Sequence, residues 1–272
     1  MMDYSEYEYL KIEVADRVAT VTINRPDQRN AVHAALHHEF EQIWLDLAQD
    51  RDVNAILLTG AGKAFSVGGD LTSRDKPTKS KGRGGRGIVM ADGRRVIENL
   101  LDVEQPIVAA INGDALGFAA NVALLCDVTV AAETAKLADT HVSIGVVAGD
   151  GGAVIWPLLI GPNRAKELLM LGDSLTGADA AKIGLVNYAV PEAEVLPKAR
   201  ELVQRLADGP KWAIRWSKLA VNKWLKQQAN LIMDAGLAYE AVTLTAQDHK
   251  EALQALRENR EPNYIRGRSV KS

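Results

Sequence analysis

Two glycine-rich stretches are the first places in this 272-residue chain where chemistry can be read. Residues 63–71 read KAFSVGGDL and residues 112–122 read NGDALGFAANV, each directly after an apolar run. Each has the form of a strand yielding to a helix. Backbone N–H groups at such a junction lack intrahelical partners, and the positive end of the helix dipole favours an anion. Neither stretch continues into GK followed by Ser or Thr, and neither fits GxGxxG, so a nucleotide phosphate loop is not indicated. Two donor junctions in one chain suggest convergence on one developing negative charge, as in an oxyanion hole.

Other chemistry-bearing residues read as structural. His33, His37 and His38 lie close together, but the spacing HAALH lacks the Glu of HExxH and falls on the polar face of a helix. They are expected to be solvent-exposed, and no metal site or redox cofactor motif is indicated. His249 is expected at the surface of a C-terminal helix. Trp212, Trp216 and Trp224 recur at helical spacing and are expected to pack a helix or a subunit interface.

The elements that must position the two junctions follow from periodicity. Residues 17–23 alternate as a strand. Leu36, Phe40, Ile43 and Leu47 place a helix over about 32–48. Short apolar runs at 54–59 and 106–111 read as buried strands, with a helix near 89–101, a helix from 117 and a strand at 127–131. Strand–helix alternation predicts an α/β fold with parallel crossovers. Beyond about residue 195 only helices are predicted, around 214–225, 231–244 and 249–259, which divides the chain into a core of 1–195 and a helical region of 196–272. The segment 72–87 (TSRDKPTKSKGRGGRG) is strongly basic and aperiodic and is expected to be a mobile loop, either a solvated insertion or a flap that attracts an anion.

Composition excludes several classes. A hydrophobic fraction of 47% argues against disorder. With 32 Lys+Arg against 35 Asp+Glu, global charge does not drive nucleic-acid binding, and DNA is not an expected partner. One cysteine, Cys126, cannot form an internal disulfide, and the first ten residues lack the features of a signal peptide, so a cytoplasmic location is expected. The apolar stretch 144–161 contains Asp150, a glycine cluster and Pro157, and reads as buried core plus a loop, with no membrane span expected.

Four motifs then become specific together: INRPDQRNAV at 23–32, GKAFSVGGDL at 62–71, PIVAAINGDALG at 106–117 and ENREPNY at 258–264. In order and spacing the chain resembles the crotonase (enoyl-CoA hydratase/isomerase) superfamily over almost its whole length. The resemblance implies an α/β, crotonase-like spiral of ββα units with a C-terminal helical trimerisation region, assembled as a homotrimer or a dimer of trimers. It implies an acyl-CoA thioester substrate, with coenzyme A entering as part of the substrate and no permanently bound cofactor. By motif position it implies an oxyanion hole made by the N–H groups of Gly69 and Phe118, and coenzyme A contacts at Ser66 and Val67.

The resemblance also exposes a departure. Hydratases of the family carry a Glu shortly after the second oxyanion residue and another about twenty positions on; here Asn121 and His141 stand at those places. Asparagine cannot abstract a proton, so the paired-glutamate route to adding water cannot operate unchanged. His141 suits proton transfer near neutral pH, with Asp139 a further partner. Asp150, in the turn AGDGG, completes a His–Asp arrangement similar to the β-diketone hydrolase branch. The competing explanations are a structural His141, and Asp150 as helix N-cap. Asp70 is expected to cap a helix, and Asp114 is a lesser candidate for pointing into the pocket. Three functions are therefore carried forward: an enoyl-CoA hydratase/isomerase-type enzyme; a C–C bond hydrolase of a β-dicarbonyl compound using His141 and Asp150; and a non-catalytic relative that binds CoA or RNA through 72–87.

Overall fold

The computed structural model describes residues 2–71 and 86–264, with side chains left out over 86–92. Most of the basic segment 72–87 lies outside the described residues; its last two positions already belong to a helix. In chain order the elements are β1 (Leu10–Ala15), β2 (Val18–Ile23), α1 (Ala34–Gln49), β3 (Ala55–Gly60), α2 (Arg86–Asp102), β4 (Ile107–Ile111), β5 (Ala115–Leu116), α3 (Phe118–Leu124), β6 (Val128–Ala132) and β7 (Lys136–Ala138). They continue with α4 (Gly152–Ile160), α5 (Pro162–Leu171), β8 (Leu175–Thr176), α6 (Gly177–Lys182), β9 (Tyr188–Val190), α7 (Glu192–Asp208), α8 (Lys211–Thr243) and α9 (Gln247–Arg257).

Two sheets organise the core. The larger runs β1-β2-β3-β4-β6-β9 and is parallel apart from the β1–β2 hairpin. The smaller runs β5-β7-β8. Successive turns of chain add one strand to the large sheet, a short strand to the small sheet and then a helix, as in β4–β5–α3 and β6–β7–α4. In the turn that starts with β3, the second strand is reduced to a single parallel bridge between Ser66 and Ala115. This is the expected spiral of ββα units. Strands β3 and β4 are buried along their whole length, which is why they read as unbroken apolar runs. Helix α1 buries Leu36, Phe40, Ile43, Trp44 and Leu47 in the same hydrophobic core.

The short strands β5, β7, β8 and β9, and the alternating β1, went unread in the sequence. The two expected helices at 214–225 and 231–244 are one helix, α8, of 33 residues. Its first half is tied down by long side chains that donate to core carbonyl oxygens: Arg215 to Val53 (2.9 Å), Lys218 to Gln105 (2.8 Å) and Asn222 to Leu101 (2.8 Å). Its second half contributes Ala229, Met233 and Leu237 to the core. The expected division at 195 falls inside α7, which packs on β3, β4 and β6. His249 is a correction: it is buried, with Nδ1 2.7 Å from the Ile144 carbonyl oxygen, so it ties α9 to the short helical turn Val142–Ile144. No helix among the described residues is long and apolar enough to cross a membrane.

Helix α8 meets the loop before α4 at a glycine pair. A methyl group at Gly149 would overlap the Gly236 carbonyl oxygen and lie 2.9 Å from Glu240 Cβ. Gly149→Ala is therefore expected to destabilise the fold by about 1–3 kcal/mol. A shift in the urea midpoint measures it, and an unchanged midpoint would contradict the close approach.

Candidate active site

One cavity of about 270 Å³ is lined by Gly69, Phe118, His141 and Asp150, four residues that come from separate stretches of chain. Val67 also lines it. Backbone topology explains the first two. Val32 bridges Gly69 in parallel, bonding through its N–H to Gly68 O (2.7 Å) and accepting from Asp70 N–H (2.9 Å). In a parallel bridge of this kind the middle residue's own N–H points away, so Gly69 presents its donor on the opposite side. Phe118 opens α3, where the first-turn N–H groups have no intrahelical acceptor. The two loops nearly touch: a Cβ at Gly68, which has φ +79°, would lie 3.6 Å from Gly117 Cα, and Gly117 itself has φ +55°. Glycine is required at both places.

The side-chain half of the site is a hydrogen-bonded relay centred on His141. Its Nδ1 lies 2.6 Å from Asp139 Oδ1 and its Nε2 3.2 Å from Asp150 Oδ2. Asn121 Nδ2 donates to both carboxylates, at 3.0 Å to Asp139 Oδ2 and 3.1 Å to Asp150 Oδ1. Asn121 Oδ1 accepts from Trp156 Nε1 at 3.0 Å. All of these groups are buried. The asparagine is thus matched to its place: a glutamate there would set a third carboxylate against two others, whereas the amide serves both. Gly152 is equally constrained, since any Cβ would overlap Asp139 Oδ2.

The electrostatics follow from this packing. Burial opposes a charge on His141, but Asp150 and Asp139 outweigh it, and the pKa stands well above the ordinary imidazole value. Burial alone would push the Asp139 carboxyl up; the His141 charge and the hydrogen bonds from His141 and Asn121 hold it below its usual value instead. His141 is therefore an imidazolium with both N–H groups committed to carboxylates, a donor rather than a base at neutral pH.

Several expectations change. Ser66 is fully buried: its Oγ donates to Asn30 O (2.6 Å), its N–H to Asp114 O (3.0 Å), and its carbonyl accepts from Leu116 N–H (2.9 Å). It cannot touch coenzyme A; it stitches the oxyanion loop to β5. Asp150 is not the α4 N-cap, which is Gly151 with no side-chain bond. Asp70 caps no described helix; it pairs with Arg25 at 3.4 Å. Asp114 turns away from the cavity, to Arg29 (2.7 Å) and Lys136 N–H (3.0 Å). His37 was misjudged: it lines the cavity, its ring stacked on Phe118 at 4.9 Å. His33 caps α1, accepting from Leu36 N–H. Glu240, on α8, was missed altogether. It lines the cavity, and among the described residues His141, Asp150 and Glu240 have ligand atoms within 4.8 Å of one another, close enough to be tested for a metal ion. The side chain of Glu240 enters only because α8 folds back over α2 and α4, which no local pattern announces.

The family model described as enoyl-CoA hydratase/isomerase matches residues 13–267. The chain belongs to the enoyl-CoA hydratase/isomerase family. This family member is 31% identical over 260 residues to a crotonyl-CoA hydratase of Syntrophomonas wolfei, a match covering 95% of this chain and 98% of the relative. It is 31% identical over 262 residues to a short-chain-enoyl-CoA hydratase of Clostridium acetobutylicum, covering 94% and 97%. It superposes on the crystal structure of an enoyl-CoA hydratase from Mycobacterium avium subsp. paratuberculosis with a TM-score of 0.85 at 26% identity, covering 94% of this chain and 98% of that one. The spiral fold expected from the motifs is thus the fold of solved family structures.

The relay predicts a stability profile. A raised His141 pKa stabilises the fold below the unfolded value of about 6.5 and loses that contribution as pH rises through the folded value. The lowered Asp139 pKa acts above about 3.9 and fades as pH falls through its folded value. Asn121→Ala strips a donor from both carboxylates and leaves Trp156 Nε1 buried without its acceptor. It is expected to cost about 1–3 kcal/mol in urea denaturation at neutral pH; a wild-type midpoint would contradict the relay.

Proposed function

We propose that this chain processes an acyl-CoA thioester in the manner of an enoyl-CoA hydratase/isomerase. The thioester oxygen is held by the N–H groups of Gly69 and Phe118 while it gathers charge as an enolate. The observation that carries this reading is the lining of one cavity by both donor-bearing loops together with the His141–Asp150 pair, 3.2 Å apart. Preorganised donors of this kind are worth about 3 kcal/mol each in the transition state, because they strengthen as the oxygen becomes anionic and need no reorientation. Val67 is kept as the coenzyme A contact of the loop. Coenzyme A enters with the substrate, and no permanently bound cofactor is part of the proposal.

His141 replaces the second family glutamate with a group of opposite charge. Its proximity to Asp150 gives the cavity a donor and an acceptor side by side, suited to orienting water and returning a proton to carbon. That same pairing favours a second reading, the hydrolysis of a C–C bond in a β-dicarbonyl compound, in which the oxyanion donors again receive the enolate. The binding-only reading rests on 72–87, outside the described residues.

In this proposal residues 1–195 form the spiral core that carries the loops, and 196–272 close the cavity and mediate assembly as a homotrimer or dimer of trimers, in the cytoplasm. Support for assembly comes from Trp212, Trp216 and Trp224, which remain 54%, 59% and 51% exposed on α8 in the single chain. Large aromatic surfaces along one helix are what a subunit contact would cover.

The test is turnover of crotonyl-CoA and longer 2-enoyl-CoAs, followed by loss of the conjugated enoyl absorbance. Turnover is expected; its absence, with consumption of a β-dicarbonyl substrate, would replace the first reading with the second. Phe118→Pro deletes one oxyanion N–H at a helix position where proline is tolerated. It is expected to lower kcat/KM about 10²–10³-fold relative to Phe118→Ala. Equal rates for the two variants would remove that donor from the mechanism.

A further inference from the structure

The backbone at Gly117 marks where the Phe118 N–H points. Gly117 has φ +55° and ψ −132°. At that ψ a Cβ built on Gly117 would stand nearly eclipsed with the Phe118 nitrogen, and the planar trans peptide turns the Phe118 N–H to the same side. The place of the missing methyl group is therefore the space in front of that donor. Outside the adjoining residues, its nearest atom is Thr140 Oγ1 at 3.3 Å, followed by His141 Cε1 at 3.8 Å and Gly68 Cα at 4.0 Å. Thr140 lines the same cavity as Gly69, Gly117 and Phe118.

The hydroxyl is held there by its backbone. Gly117 N–H donates to Ala138 O (2.8 Å), and Leu116 pairs with Ala138 where β5 meets β7. Thr140 follows two residues later, between Asp139 and His141, which are bonded to each other through ring and main chain. Its own carbonyl accepts from Ser143 N–H (3.1 Å). Among the described residues no group hydrogen-bonds to Thr140 Oγ1, so the fold makes no use of this hydroxyl. A β-branched side chain has few rotamers, which fixes the oxygen, while the hydroxyl proton still rotates towards an acceptor.

We propose that Thr140 is a third donor of the oxyanion hole. Its hydroxyl donates to the thioester oxygen beside the Phe118 N–H as that oxygen becomes the enolate oxygen. The proposal rests on the acyl-CoA reading above, and it holds for hydration and for C–C cleavage alike, because both bring the enolate oxygen to Gly69 and Phe118. No proton is transferred at Thr140. The O–H bond stays intact, and the hydrogen bond strengthens as the electron pair arrives on its acceptor. Unlike the two main-chain donors, this one can be removed without altering the backbone.

The experiment compares Thr140→Val, which exchanges the hydroxyl for a methyl group, and Thr140→Ser, which keeps the hydroxyl, with wild type. The substrate is whichever of the enoyl-CoA and β-dicarbonyl compounds wild type turns over. Thr140→Val is expected to lower kcat about 10–10²-fold with KM changed much less, and Thr140→Ser to lose less. A second readout needs no turnover. Acetoacetyl-CoA forms an enolate with its own ultraviolet band, and its enolisation constant on the protein is expected to fall about tenfold in Thr140→Val. The imidazolium ¹⁵N pattern of His141 is expected to be the same in Thr140→Val and wild type, which a merely structural role for the hydroxyl would not give. A Thr140→Val protein within threefold of wild type on either readout overturns the proposal and leaves the acyl-CoA reading standing. Loss of the His141 pattern together with activity overturns it in favour of a structural role. Wild type that neither turns over these substrates nor binds acetoacetyl-CoA overturns the acyl-CoA reading, and the proposal with it.

Discussion

A buried imidazolium between two carboxylates is the interaction on which the rest of the site depends. An isolated charge placed in this interior would be expelled or neutralised. His141 stays charged because Asp139 and Asp150 stand at its two nitrogens, and Asp139 stays charged because His141 and Asn121 serve it. Removing one partner from such an arrangement typically costs about 3–5 kcal/mol, since the remaining charge is left uncompensated. The surrounding sequence answers to that constraint: Gly152 has no room for a side chain beside Asp139, Gly151 adopts φ +118°, and Trp156 caps the amide of Asn121. Asn121 belongs to the same cluster, its amide serving Asp139 and Asp150 at once.

The other half of the site is made from main chain. Parallel bridging of Val32 to Gly69 and the start of α3 at Phe118 turn N–H groups towards one cavity without calling on a side chain. The ββα spiral brings them together because it returns each oxyanion loop to the same edge of the small sheet, with Ser66 bridging Ala115. Main-chain donors keep their aim when side chains change. The side-chain relay and the wall supplied by α8 can therefore change without disturbing those donors.

Much of this was legible in the residues. The unbroken apolar runs of β3 and β4 announced buried parallel strands, and the glycine-rich stretches after them announced bare donors. His141 and Asp150 emerged from a mismatch with the family pattern, and the structure places them 3.2 Å apart. Other features had no local signal. Strands of two or three residues are too short for periodicity to register. Ser66 looked like a ligand contact because it sits in the oxyanion motif, yet every polar atom it has is turned inward. His37 occupies a position that reads as polar helix surface until Phe118 is stacked against it. Glu240 lies on an amphipathic helix far along the chain, and only the Gly149–Gly236 approach reveals that it faces the cavity.

The charge state of His141 tests this account most directly. In protein selectively labelled with ¹⁵N-histidine, the ring nitrogens and their bound protons report the protonation state without any assumption about substrate. At about pH 7.5, above the ordinary imidazole pKa, both His141 nitrogens are predicted to carry protons, with the imidazolium pattern lost in an Asp150→Asn variant. A neutral ring in the wild-type protein at that pH, with one nitrogen unprotonated, would contradict it.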